Sequence, residues 1–311
     1  MEALRDILAI GRATSAHSAI GQLTRYAIDG FAIWIVEDIT PVLQVDNAGA
    51  TPQGDARPCR RQQVNDLIKD LLASDFEQDW IQSMWFDRML LIDGALWLAE
   101  GKTLGTPPIA AAGPFAPWNQ RVAVWAVKPA WLLDSKLFAD HIDRFSESAL
   151  HTWPSADADL LLLGGADSLT CRMAHYPRSI LGSRYDMLQD VVLHGLARRR
   201  MAATALAIRL YELDHGRRPE RLAELVPDYL PSVPGDPFAA DDRPIGYAPH
   251  GPRPVLYSVN IDGIDEGGRY VLNSAGRVER DGADFPFFLN GDRPGHRPMA
   301  SSQPSRGVSP P

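Results

Sequence analysis

Two cysteines in 311 residues, Cys59 and Cys171, leave little room for cysteine chemistry. No C-x-x-C pair occurs, so neither a thioredoxin-type redox site nor a zinc ribbon is suggested. The two could close one disulfide between distant segments or stand as reduced thiols, and no pattern selects the bridge. Long apolar runs are also missing. The best candidates, 30–36 and 89–99, are shorter than the ~20 residues of a membrane helix, and the second carries Asp93. The opening Met1-Glu2-Ala3-Leu4-Arg5-Asp6 has no basic start and places Glu2 and Asp6 where the apolar core of a signal peptide would lie. The chain is therefore expected to be soluble, with no transmembrane segment. An excess of positive charge is absent as well. The formal charge is −8, which argues against broad nucleic-acid binding, since that needs a basic surface to displace counterions.

The signatures of common active sites are missing too. The eight histidines are scattered, with no H-E-x-x-H and no H-x-H, so a zinc hydrolase is not expected. There is no G-x-x-x-x-G-K-[ST] phosphate loop and no G-x-S-x-G esterase elbow. Gly164-Gly165-Ala166-Asp167-Ser168 lacks the lysine that a phosphate site would add and reads as a loop before a helix. Glu37-Asp38 and Asp157 with Asp159 are neighbouring carboxylates, read here as surface groups. Seven tryptophans from Trp80 to Trp153 gather in the first half, where core and interface use is the simpler reading than a glycan platform. No catalytic residue is assigned.

What is present is an ordinary folding composition. Hydrophobic residues make up 45% and charged residues 23%, close to globular averages, and the length suits two domains. Residues 1 to about 100 carry helical spacing: Leu4 and Leu8, then Ile20, Leu23, Ala27 and Phe31, then Val64, Leu67, Ile68, Leu71 and Leu72, then Trp80 and Met84. Pro41 marks a stop, and the polar stretch 47–61 reads as a loop. The segment 101–185 begins with a Gly/Pro-rich connection and then suggests two helical pieces, near 129–150 and 165–173.

From Asp186 the pattern sharpens. Leu188, Val192, Leu196, Ala203, Leu206, Leu210 and Leu213 form one apolar stripe, with Arg198, Arg209 and Glu212 on the other side. The spacing predicts a long amphipathic helix that ends at Asp214-His215-Gly216, where glycine supplies the left-handed closing residue. In this frame His215 sits where a partly positive imidazole suits the helix dipole. Arg198-Arg199-Arg200 could meet an anionic partner or a lipid surface; a solvated helix face is the reading adopted. Pro219 opens a second, short helix with Leu222, Leu225, Val226 and Tyr229 inward. Pro234 to Phe238 is a turn. Short β-type runs follow at 245–248, 255–259, 269–272 and 285–289, separated by turn residues. The Pro/Ser/Gly/Arg-rich residues 291–311 are expected to be disordered.

The run Ala207-Ile208-Arg209-Leu210-Tyr211-Glu212-Leu213-Asp214-His215-Gly216-Arg217-Arg218-Pro219 resembles the end of the long helix in major pseudopilins of type II secretion. Leu225-Val226-Pro227, Tyr229-Leu230-Pro231, Asp236-Pro237-Phe238 and Leu256-Tyr257-Ser258-Val259 with Asp262-Gly263 continue the likeness, in order, over about a third of the chain. Arg218 departs from it, standing where the family has an aromatic residue. A larger departure is upstream: about 185 residues precede the module, and Arg198-Arg199-Arg200 replaces an apolar membrane half. Polymerisation as a pseudopilin is therefore not implied. The whole chain is similar to large planctomycete-type bacterial proteins that carry a helical region followed by this module, and that often begin with a membrane helix.

The resulting expectation is an α+β protein. A mostly helical domain covers 1–185, a pseudopilin-like module of long helix and small antiparallel sheet covers 186–290, and a tail covers 291–311. The resemblance also implies calcium in the last loop of the module, at Asp262, Asp265 and Asp284. Asn260, Glu266 and Asp281 are nearby oxygen donors, though the spacing is not that of an EF-hand. The simpler reading of the same residues is a set of turn formers between strands. The expected role is non-catalytic: a structural or interaction protein with a protein partner and a link to secretion or the cell envelope. The alternatives are an enzyme with its site in 101–185, or an envelope protein whose anchor lies upstream. A deep polar pocket in 101–185 would favour the first, and exposed apolar patches on the helical region would favour interaction.

Overall fold

The computed structural model describes residues 1–14, 18–46, 59–73, 76–99, 185–239, 243–279 and 283–295, together with Lys136 and Asp143. The architecture is α+β: N-terminal helices, and a long helix packed on a small three-stranded antiparallel sheet. Cα packing divides the chain into two compact units. One comprises Met1–Gly11, Ala27–Ser74 and His194–Pro311, and the other Arg12–Tyr26 and Asp75–Leu193.

In the first unit, helix α1 (Glu2–Thr14) buries Leu4, Leu8 and Gly11 at helical spacing. Helix α2 (Ala19–Ile39) enters this unit at Ala27. It ends in a 3-10 turn (Thr40–Val42) opened by Pro41, the stop that the sequence suggests. Strand β1 (Val45–Asp46) pairs in parallel with β2 (Cys59–Arg60), so the end of the polar stretch read as a loop is one strand of a two-residue ladder. Helix α3 (Arg61–Leu72) buries Val64, Leu67, Ile68 and Leu71, and the Gln63 side chain accepts the Arg60 N–H.

Helix α5 (Tyr185–His215, 31 residues) is the axis of this unit from His194 onward. Gly216 follows it at φ +69° and donates to the Glu212 carbonyl at 2.8 Å, the glycine closure read from the sequence. The helix is not amphipathic in place. Met201, Ala202, Ala203, Ala205, Leu206, Ala207, Ile208 and Leu210 are all buried, because α2 and α3 cover one side and the sheet the other. The second short helix is a 3-10 turn (Leu222–Leu225), held by Glu224 accepting the N–H groups of Glu220 and Arg221.

The sheet has the order β3 (Gly246–Ala248), β4 (Val255–Ser258), β5 (Phe285–Phe288), antiparallel throughout. Every residue of β4 and β5 is buried. One face meets α5 through Phe285, and the other packs Val255, Tyr257 and Phe288 against Ala248, Tyr270 and Val278. The run 269–272 is not a ladder strand. It makes one bridge, Leu272 to Val278, around a turn in which Asn273 accepts the N–H groups of Ala275 and Arg277. The Asn-Ser-Ala-Gly sequence closes the chain on itself before a strand can pair.

The outer edge of β5 is blocked. Leu289 N–H turns inward to the Pro254 carbonyl, so residues 286 and 288 face out. Pro286 has no N–H, and the Phe288 N–H donates to the buried Glu37 carboxylate at 2.9 Å. Arg293 pairs with the same carboxylate at 2.9 Å.

In the second unit, helix α4 (Phe76–Ala99) packs on the N-terminal part of α2. Gln22 donates to the Asp79 carbonyl at 3.2 Å, and buried Arg25 pairs with the Asp79 carboxylate. Lys136 and Asp143 are helical, and the rest of the two helical pieces expected at 129–150 and 165–173 lies outside the described residues. No helix among the described residues is long and apolar enough to cross a membrane.

Candidate functional site

The end of β4 and the loop after it form a polar knot. Asp236 follows Gly235, which bridges to Pro244, and its backbone leads into a turn at Pro237 and Phe238. Its carboxylate accepts the Ser258 hydroxyl at 2.6 Å and the N–H groups of Val259 at 2.7 Å and Phe238 at 3.0 Å. Burial pushes its pKa up, and those three bonds oppose the shift. Asn260, at φ +60°, donates to the Ala283 carbonyl at 2.7 Å and shares a 2.9 Å hydrogen bond with His194 Nε2. His194 is fully buried and edge-on to Phe238 and Phe285. The Asp-Pro-Phe sequence reads as a turn, and the structure adds that its aspartate anchors the end of β4. His194 carries no sequence signal, because a lone histidine on a helix face looks the same buried or exposed.

The three candidate calcium ligands are placed differently. Asp262 is exposed and accepts the Ile264 N–H at 3.0 Å in a local turn. Asp265 is exposed, accepts the Gly267 N–H at 3.0 Å and the Tyr257 hydroxyl at 3.1 Å, and lies 3.7 Å from Arg243. Asp284 is 1% exposed. Its Oδ2 accepts the N–H groups of Gly268 at 2.6 Å and Glu266 at 3.2 Å. Burial first, and then the charges of Asp265 and Glu266, raise Asp284 to about 6. Asp265, Glu266 and Asp284 thus share one electrostatic neighbourhood, and Asp262 occupies its own turn. Asp284 Oδ1 and Glu266 Oε2 are buried without a hydrogen-bond partner. Among the described residues no three His, Cys, Asp or Glu side chains group to hold a metal ion. A hard cation here would draw the rest of its six to eight oxygens from backbone and water. Asp281 lies outside the described residues.

The arginine triplet is the main correction to the sequence reading. Arg199 is fully buried, not on a solvated face. Its guanidinium donates to Asp29 at 2.6 Å and to the carbonyls of Asp70 at 2.7 Å and Leu71 at 3.2 Å, so it caps the end of α3 from α5. Arg200 donates to the Gly235 carbonyl at 2.9 Å, and Arg198 lies 4.9 Å over the Phe285 ring. Glu37, read as a surface carboxylate, is likewise buried.

Among the described residues, a cleft lined by Thr40, Arg209, Glu212 and Arg218 has a cavity volume of about 10 Å³, room for a single water. The segment 101–185, where an enzyme site would fall, lies outside the described residues apart from Lys136, Asp143 and Tyr185. Against known proteins, no family model matches the sequence, and no curated protein or solved structure does.

Proposed function

We propose that this chain is a non-catalytic interaction protein whose C-terminal third is a pseudopilin-like docking module, working with a protein partner at the cell envelope or in secretion. The observation that carries the reading is the set of large apolar side chains that stay partly or largely exposed on the helices. Phe31 is 66% exposed and Trp34 45% on α2, their rings edge to face at 6.4 Å. Trp85, Phe86, Met89 and Leu90 are exposed on α4. The same helices turn polar groups inward: Arg25, Asp29 and Glu37 on α2, Ser83 and Asp87 on α4. Apolar faces of this kind commonly mark docking surfaces. The module reading is supported by the order of elements: long helix, glycine closure, short 3-10 turn, Asp236 anchor, three antiparallel strands. Fold alone does not assign a role, so the weight rests on the exposed faces.

The test is quantitative affinity capture from the source cell extract, comparing the natural chain with a Phe31→Ser, Trp34→Ser variant of equal thermal stability. Proteins retained by the first and lost by the second support the reading. Identical capture profiles sink it.

Calcium is the second part of the proposal, favoured by the two buried oxygens of Glu266 and Asp284 that lack partners. Titration calorimetry of the intact chain should show binding that Asp284→Asn abolishes. No heat at millimolar calcium would leave the loop as turns.

A further inference from the structure

Helix α4 presents a second regular face besides the one it buries. Trp80, Ser83, Met84 and Asp87 are buried. On the opposite side, Gln78, Gln82, Trp85, Met89, Ile92 and Leu96 recur at alternating steps of four and three. That is the spacing of a two-stranded coiled-coil seam. Five of the six are exposed and Ile92 is half-buried. Met89, at the centre, is 60% exposed. From Gln78 to Leu96 the seam runs ~27 Å, at about 1.5 Å per residue.

The charges that flank the seam choose its occupant. Arg88 precedes Met89 on one side, and Asp93 follows it on the other. Two helices paired in parallel and in register bring such a position opposite the residue five further along the partner. Arg88 therefore faces Asp93 of a second copy, twice by symmetry. In the antiparallel arrangement each flank meets its own kind, arginine with arginine and aspartate with aspartate. Asp143 accepts a hydrogen bond from one terminal nitrogen of Arg88 at 3.0 Å and lies 2.9 Å from its Nε, with the guanidinium 5.4 Å over the Trp85 ring, which leaves the other terminal nitrogen for a second carboxylate. Asp93 is exposed and has no ion pair among the described residues. A bilayer is a poorer occupant, because Gln78, Gln82 and Asp93 would enter hydrocarbon without partners. Gln82, polar at a core position of the seam, would fix the register.

We propose that α4 is a self-association seam through which two copies of this chain pair in parallel, Arg88 of each opposite Asp93 of the other. The proposal rests on the interaction reading above and gives one of its exposed faces a definite occupant.

Sedimentation velocity on the full chain, from about 1 to about 100 μM, is the test, with dissociation constants converted in the usual way. The natural chain should dimerise within that range. Met89→Lys should weaken the dimer at least ~100-fold by burying a charge in the seam, and Asp93→Lys roughly tenfold through the lost flanking pair. Both sites are exposed, so unchanged far-UV circular dichroism and thermal midpoints should accompany both variants. In a Cys59→Ser, Cys171→Ser background, Gln82→Cys should form a disulfide-linked dimer on mild oxidation, which parallel register requires. A chain that stays monomeric throughout overturns the proposal, as does a dimer indifferent to Met89→Lys. A monomer that still captures partners through Phe31 and Trp34 would overturn it and leave the broader interaction reading intact.

Discussion

Replacing Arg199 by methionine tests the packing logic of the α5 unit most directly. Methionine keeps the unbranched stem, so little cavity opens. What disappears is the guanidinium, whose three contacts reach Asp29 and the carbonyls of Asp70 and Leu71. The Asp29 carboxylate is 3% exposed, so it would stay out of water without its cation. Removing one partner of such a pair costs about 3–5 kcal/mol. Asp29→Leu alone should cost a similar amount, because Arg199 is then buried without its counter-ion. The double variant Arg199→Met, Asp29→Leu removes both charges and leaves the Asp70 and Leu71 carbonyls short of a donor, for about 1–3 kcal/mol. The cycle should therefore show coupling of at least ~3 kcal/mol. Urea unfolding followed by far-UV circular dichroism measures all four chains. Against a typical total of about 5–15 kcal/mol, either single change would bring the fold near its limit. Singles that cost under about 1 kcal/mol, or additive losses in the double, would refute the account, since a buried unpaired charge could not then be what makes each loss costly.

Three further outcomes are expected. Gly246→Ala would set a Cβ 2.1 Å from the Tyr257 ring; the ring must swing off and release its bond to Asp265, costing about 2–4 kcal/mol in urea unfolding, whereas in a Tyr257→Ala background the same glycine change should cost under about 1 kcal/mol. Asp284, raised to about 6 in the folded chain from an ordinary 3.8, binds its proton more tightly when folded; its favourable contribution is complete below the ordinary value and is lost as pH climbs through about 6. Asp284→Asn should therefore gain on the natural chain in calcium-free urea midpoints as pH rises from about 4 to about 7, and a flat difference would contradict the burial argument. Glu37→Ala should cost about 2–4 kcal/mol and speed amide exchange at Phe288, with Glu37→Gln costing less because an acceptor remains; unchanged exchange at Phe288 would show that the carboxylate does not guard the edge.

Much of the fold is legible in the sequence where local chemistry settles it. Gly216 ends the long helix, Pro41 ends α2, and three of the four β-type runs are strands. The fourth, 269–272, has the composition of a strand but is closed off by the Asn273 turn, and edge pairing depends on neighbours that a run of letters does not show. The buried arginine and glutamate are the instructive cases. The sequence reading puts the arginine triplet on a solvated helix face and Glu37 among surface carboxylates, on the assumption that charged groups meet water. Their partners lie 170 residues away for Arg199 and 251 for Glu37, so nothing local marks them as interior. The acidic loop is legible as a cluster. Its division into an exposed Asp262 and a buried Asp284 is not, because it depends on Gly268 and Glu266 turning their N–H groups toward one carboxylate.

The way α5 is enclosed bears on portability. Cut at residue 186, the C-terminal third would lose Asp29, the Asp70 and Leu71 carbonyls that Arg199 serves, and the Leu43 carbonyl that takes two bonds from Arg209. It would also lose the Glu37 carboxylate that seals β5. Such a fragment would begin life with a guanidinium stripped of these acceptors in the middle of its long helix and a sheet rim open to any passing strand. A gene carrying this segment into a new setting would have to bring α2 and α3 along, or rewrite positions 199 and 209 first.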